Sequence, residues 1–252
     1  DNILCEPVRR NTAPCIAYAM AKIENRCKDA LVLVMPSDHL IVDTDNFIAQ
    51  IQKGFRLAER QEVLICLGIK ASYPNTGYGY IQYRDDVCAT GDCGIKKVKL
   101  FTEKPAYEMA CSFVESGDFL WNAGIFVWSA KAIKNAFAKF LPEVADVLNK
   151  GMEVLDTDKE AAFIEEAYSI CPSISIDYGV MEKADNVYVI PSDFGWSDIG
   201  TWGALYNVSP KDENGNSVVG SNVMLYDCRN CLVRVPKERL LVVQGLEDYI
   251  VV

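Results

Sequence analysis

Leu31 to Met35 is an unbroken apolar run, LVLVM, closed by Pro36 and followed by Ser37-Asp38-His39. Such a run is predicted as a strand buried on both faces of a parallel sheet. That restricts the chain to folds in which helices cover both sides of the sheet. The neighbouring segments agree. Asn11 or Thr12 can cap a helix over Pro14 to Arg26, and an amphipathic helix is expected from about Asn46 to Gln61. Val63 to Ile69 is a second buried strand. Strand and helix alternate, which predicts an α/β chain with a Rossmann-like, doubly wound sheet. Asn2 to Glu6 reads as a further short strand with no turn before it, so the sheet is expected to be N-terminally incomplete here.

Later strands are expected at Ile95 to Glu103, Trp121 to Trp128 and Val187 to Pro191, with helices over Tyr107 to Glu115, Lys131 to Lys139, Leu141 to Met152 and Glu160 to Tyr168. The character changes after Leu205. Pro210 to Asn216, PKDENGN, is a polar linker, and beyond it come only short strands. The chain is therefore divided into residues 1–209, a larger α/β domain, and residues 217–252, the start of a small C-terminal β appendage. There are too few turns in it to read a solenoid repeat.

Lys plus Arg is 25 and Asp plus Glu is 35, a net charge of −10. That lacks the basic footprint of a nucleic-acid binder, so an anionic ligand must meet local cations or a metal. Ten cysteines are scattered through a chain too long and core-rich to need a disulfide framework. Cys228 and Cys231 form a lone CxxC, which reads as turn residues between strands rather than half of a zinc site. No apolar run approaches the ~20 residues of a membrane span. No signal peptide opens the chain. A reduced, soluble, cytoplasmic protein is expected.

Asp38, Lys104 and Asp198 all fall at predicted strand ends, where open α/β sheets bind ligands. Two carboxylates and a lysine are the parts that phosphoryl or nucleotidyl transfer requires, the carboxylates being suited to Mg²⁺. Glu103 and Asn122 offer the polar groups that sugar hydroxyls need. Gly77 and Gly79 in TGYGYI mark either a turn or a backbone that a ligand must approach closely. His39 is the one histidine and reads as a structural group beside Asp38.

EPVRRNTAP, VMPSDH, TGYGYI, FTEKP, WNAGIFVW, SIDYGVMEK and GWSDIGTW occur in that order between about Ile3 and Leu205. The set resembles the sugar-1-phosphate nucleotidylyltransferases, and the mannose-1-phosphate guanylyltransferases in particular. The resemblance implies a nucleotidyltransferase sheet and a Mg²⁺-dependent reaction. In it GTP and mannose 1-phosphate give GDP-mannose and pyrophosphate, without a covalent enzyme intermediate. It implies that Glu6, Asn11, Thr12 and Ala13 lie near the guanine and ribose. Asp38 and Asp198 would hold the metal and Lys104 would contact the sugar phosphate. Gly79, Glu103 and Asn122 would hold mannose hydroxyls. Asp177 would lie near that pocket, or serve equally well as a helix cap.

The partners implied are GTP and mannose 1-phosphate, with no nucleic acid and no membrane, and a homodimer is allowed for. The family's Gly-rich phosphate loop belongs before EPVRRNTAP and is not among these residues. Residues 1–252 alone are therefore expected not to catalyse at a useful rate. The alternatives are a nucleotidylyltransferase for another sugar phosphate or base, and a non-catalytic regulatory subunit that binds nucleotide sugar.

Overall fold

The apolar strands assemble into one sheet, with an antiparallel strand set among them. The computed structural model describes residues 2–89 and 92–252, with the side chains of 87–89 and 92–93 outside the description. The chain forms two compact units. One runs up to Ser37 and resumes over Asp43–Phe194, and the other comprises Asp38–Val42 and Gly195–Val252.

In chain order the first unit contains α1 (Thr12–Arg26), β1 (Leu31–Val34), α2 (Thr44–Ala58), β3 (Leu64–Lys70), β4 (Gly79–Ala89), β5 (Asp92–Glu103), α3 (Tyr107–Ser116), β6 (Phe119–Ser129), α4 (Ala130–Phe140), α5 (Pro142–Asn149), α6 (Glu160–Ile170) and β7 (Val187–Ser192). The label β2 belongs to the second unit. The six strands lie in the order β1-β6-β3-β7-β5-β4, and β6 also pairs with β4. Only β3 and β7 are parallel neighbours, because β6 inserts antiparallel between β1 and β3.

Alternation along β3 and β6 explains the layers. Leu64, Cys66, Phe126 and Trp128 face a core shared with α1, α4 and α5. The opposite face takes α2, whose Gly54 lies so near Val127 that an added Cβ would come within 3.3 Å of it. Helices thus cover both faces, as the apolar runs require. Deletion of a side chain such as fully buried Leu64 would be expected to cost about 2–5 kcal/mol.

Three expectations are corrected. Residues 2–6 form no strand, and no strand among the described residues pairs with them. β1 is half-buried along its length, since its one partner in the sheet is antiparallel β6. The strand expected from Trp121 starts earlier, at Phe119, so Asn122 lies well inside β6, because pairing with β3 and β4 begins already at Phe119 and Leu120.

Helix α1 is fixed at both ends. At its N-terminus the Asn11 side chain accepts the Thr12 N–H. Further along, buried Lys22 donates to Asp156 Oδ1 at 2.5 Å and Glu160 Oε2 at 2.6 Å, while the Tyr18 hydroxyl donates to Glu160 Oε1 at 2.5 Å. Removing one partner from such a buried set is costly because the others stay desolvated.

The second unit begins with β2 (Leu40–Ile41), paired antiparallel with β8 (Trp196–Ser197), and continues through α7 (Trp202–Val208). Five short strands follow, β9 (Ser217–Val219), β10 (Val223–Tyr226), β11 (Leu232–Arg234), β12 (Leu241–Gln244) and β13 (Ile250–Val251). Every ladder among them is parallel. Val223 pairs with Leu241, Arg229 with Glu247 and Leu232 with Ile250, each 18 residues apart. The corners repeat at the same interval: Asp227 and Gly245 have positive φ, as do Asn230 and Asp248. This is the coil of a parallel β-solenoid. Cys228 and Cys231 are buried inside it, each thiol donating to nearby backbone carbonyls.

Candidate functional site

The register of the sheet builds the first cluster. Gly79 stands opposite Glu103 across β4 and β5, and the pairing of Tyr80 with Trp121 sets Asn122 in the same row. A Cβ on Gly79 would collide with Glu103 Oε2 and lie 3.1 Å from Asn122 Cβ, so glycine alone leaves room there. Glu103 is 9% exposed. Its Oε1 accepts from Lys104 Nζ at 2.9 Å, whereas Oε2 is buried and has no hydrogen-bond partner among the described residues. Asn122 Nδ2 donates to Asp177 Oδ1 at 2.8 Å, and Asn122 Oδ1 accepts the Gly124 N–H at 3.1 Å.

Burial raises the pKa of the Glu103 carboxyl; Asp177 adds to the rise and Lys104 opposes it. Burial likewise raises that of Asp177. The Lys104 ammonium is held above its ordinary value chiefly by its hydrogen bond to Glu103. The cluster therefore offers acceptors in a desolvated place and one half-exposed cation beside them. Hydroxyl groups and a phosphate monoester are the ligands that such a set suits. A buried acceptor with no partner is costly, and a ligand hydroxyl would satisfy it.

Asp177 does not cap a helix. The five-residue π turn Asp177–Met181 has Ile176 at its N-cap position and no side-chain cap bond, and the Asp177 carboxylate turns to Asn122 instead. Two residues that sequence reasoning did not single out complete the surroundings. Glu182 Oε1 accepts the Glu103 N–H at 2.7 Å, and the Tyr178 hydroxyl donates to the Glu103 carbonyl at 3.2 Å. No local pattern marks contacts across 75 and 79 residues.

The second group surrounds the start of α1. Glu6, Arg9, Arg10, Asn11, Thr12, Cys15 and Ser173 line an open groove. Thr12 Oγ1 accepts the Ile176 N–H at 2.9 Å. Arg10 Nε donates to the Tyr168 carbonyl at 2.8 Å. Burial, with Glu6 nearby, pushes the Cys15 thiol up to about 11, so it stays protonated at neutral pH. Ala13 is fully buried and donates its N–H to the Ile174 carbonyl at 3.1 Å, so it forms the floor of this segment rather than its surface. The N-terminus of a 15-residue helix beside two arginines suits an anion.

Asp38 and Asp198 belong to the other unit, at the ends of β2 and β8. The pairing of Leu40 with Ser197 brings the two segments alongside. His39 accepts from Trp196 Nε1 at 3.1 Å through Nδ1, and the two rings meet edge to face. Burial lowers the pKa of the imidazole, although Asp38 and Asp198 both favour its charge. Asp198 Oδ1 also accepts the Gly200 N–H at 3.1 Å. No group of three or more His, Cys, Asp or Glu that could hold a metal occurs among the described residues. Two carboxylates are nevertheless the hard donors that suit a divalent cation shared with substrate phosphates and water. Lys104 lies in the first unit, so the three strand-end residues divide between the two.

A family model described as nucleotidyl transferase matches residues 1–215. The chain belongs to that family. Over 253 residues, the whole of this chain and 51% of the relative, it is 38% identical to the alginate biosynthesis protein AlgA of Pseudomonas putida. It is 36% identical to the mannose-1-phosphate guanylyltransferase of Escherichia coli, covering 100% of this chain and 53% of that protein. The chain thus spans about half the length of the curated relatives it matches. A crystal structure titled mannose-1-phosphate geranyltransferase from Thermus thermophilus superposes with a TM-score of 0.82 at 29% identity, over 97% of this chain and 68% of that one. The α/β fold with a central sheet is that of the family. No helix among the described residues is long and apolar enough to cross a membrane.

Proposed function

We propose that this chain carries the sugar-phosphate and metal-binding parts of a mannose-1-phosphate guanylyltransferase, which joins GTP and mannose 1-phosphate into GDP-mannose and pyrophosphate. The observation that carries the proposal is the partnerless Glu103 Oε2, buried beside Lys104 and Asn122 in space that Gly79 leaves open. That relatives in Salmonella montevideo and Escherichia coli are mannose-1-phosphate guanylyltransferases supports the sugar.

In this reading Glu103 and Asn122 receive sugar hydroxyls, and Asp177 holds the Asn122 amide in place. Lys104 holds the sugar phosphate and orients one of its oxygens. That oxygen attacks the α-phosphorus of GTP, forming a new P–O bond while the bond to the bridging oxygen breaks and pyrophosphate leaves with its electron pair. Glu6, Asn11 and Thr12 would line the guanosine site, with Ala13 as its floor. Asp38 and Asp198 would hold a divalent cation, proposed to be Mg²⁺. When bound, the cation supplies charge neutralisation at the reacting phosphates.

The test is pyrophosphate release by the full-length gene product with GTP, mannose 1-phosphate and Mg²⁺, set against UTP, ATP and glucose 1-phosphate. A preference for the first pair supports the reading. A preference for another pair would move the assignment to another sugar or base. Binding of nucleotide sugar without turnover would favour a regulatory subunit.

A further inference from the structure

Glu103 and Lys104 form the end of β5, where the sheet no longer holds the strand from both sides. β5 pairs with β7 only at Lys96 and Lys97. At Glu103 the ladder to β4 continues, and Lys104 donates its N–H to the Tyr78 carbonyl at 3.1 Å. On the other edge no strand among the described residues meets the Glu103 N–H and carbonyl. Both are taken by side chains of one short segment: Glu182 Oε1 accepts the N–H at 2.7 Å and the Tyr178 hydroxyl donates to the carbonyl at 3.2 Å. Lys104 then adopts a φ of 48°, a left-handed conformation that a lysine reaches only when its surroundings impose it.

We infer that Glu182, assisted by Tyr178, is a positioning residue that fixes the backbone of Glu103-Lys104 and so aims both side chains at the sugar phosphate. The inference rests on the proposed function for the substrate, although the backbone clamp can be read without it. Glu182 touches the Glu103 peptide and acts on the ligand only through it. A charged acceptor on a backbone N–H is among the stronger hydrogen bonds, so its loss is felt at whatever the peptide carries. The same segment also meets the groove at the start of α1. Ile174 donates to the Arg10 carbonyl at 3.2 Å, and Ile176 donates to Thr12 Oγ1 at 2.9 Å. Those bonds come from residues before the π turn, so a change at Glu182 leaves them in place.

The experiment uses the full-length gene product with Glu182→Ala, Glu182→Gln and Tyr178→Phe. Glu182→Ala is expected to raise KM for mannose 1-phosphate by roughly tenfold and leave KM for GTP within about twofold. Glu182→Gln keeps an oxygen acceptor and is expected to recover most of the loss. Tyr178→Phe should show a smaller effect of the same kind. Hydrogen exchange at the Glu103 amide reads the clamp without turnover: slow in wild type and in Glu182→Gln, faster in Glu182→Ala. Equal damage from Ala and Gln, equal effects on both substrates, a fall in Tm alone, or unchanged exchange at Glu103 would each overturn the inference. A wild type with no activity on any sugar phosphate, but with the exchange pattern intact, would overturn the proposed function and leave the clamp standing.

Discussion

The Glu103 cluster and the Asp38–Asp198 pair both present carboxylates, yet they are held in opposite ways. Glu103 is buried, bound through its own peptide group on both sides, and joined by Lys104, Asn122 and Asp177. Asp38 is exposed, Asp198 is half-buried, and a two-residue ladder carries them. The first cluster is assembled before any ligand arrives, and a ligand's hydroxyls fit beside Glu103 without bringing charge to it, while Lys104 is left to meet an anionic group. The second concentrates negative charge near water and would gain most from a cation. Rigid positioning is what discrimination between sugars requires. Loosely held carboxylates are tolerable where an ion completes the site.

The largest effect is expected at the proposed ion site. Asp198→Asn in the full-length gene product should lower kcat by roughly a thousandfold or more, since several kcal/mol of transition-state stabilisation is at stake. Circular dichroism should show the fold retained, and chelation of divalent cations should abolish wild-type turnover. Activity within tenfold of wild type would remove Asp198 from the metal site.

Next comes the packing of the sugar cluster. Gly79→Ala places a methyl against Glu103 Oε2 and Asn122, so one of them must move. We expect kcat/KM for mannose 1-phosphate to fall about a hundredfold, with a stability loss of about 1–3 kcal/mol from overpacking. Full activity would mean that the space beside Gly79 is not where the sugar binds. Asn122→Ala is expected to act more mildly, raising KM for the sugar phosphate by roughly tenfold with KM for GTP unchanged. Equal effects on both substrates would make Asn122 part of the scaffold.

The two regions also differ in how far the sequence revealed them. The strand-helix alternation was legible because β3 and β6 are apolar on both faces, and Gly79, Glu103, Lys104 and Asn122 could be named from local motifs. The antiparallel insertion of β6 was not legible, since a strand buried on both faces reads the same in either direction. β1 shows the converse limit: LVLV predicts full burial, but the strand pairs only with β6 in the sheet and is half-buried. The solenoid escaped notice because its 18-residue repeat spans so few coils. Its corners use Asp, Asn and Gly interchangeably, residues that share a tolerance for positive φ and little else. Glu182 and Tyr178 were invisible for a different reason, as each meets Glu103 only through tertiary structure.

The smallest predicted effect tests the electrostatic half of the comparison. A buried carboxyl whose folded pKa is raised binds its proton more tightly in the native state than in the unfolded chain. Stability should then fall as pH rises from the ordinary glutamate value of 4.5 to the raised value, and level off above it. Asp177 is shifted the same way by burial and widens the window toward its ordinary value of 3.8. Glu103→Gln removes one of these two titrations. It should flatten, though not abolish, the decline in Tm that sets in above the ordinary carboxylate range relative to wild type. The measurement is Tm against pH for wild type and Glu103→Gln. A Glu103→Gln curve that follows wild type would show that Lys104 fully offsets the burial of Glu103.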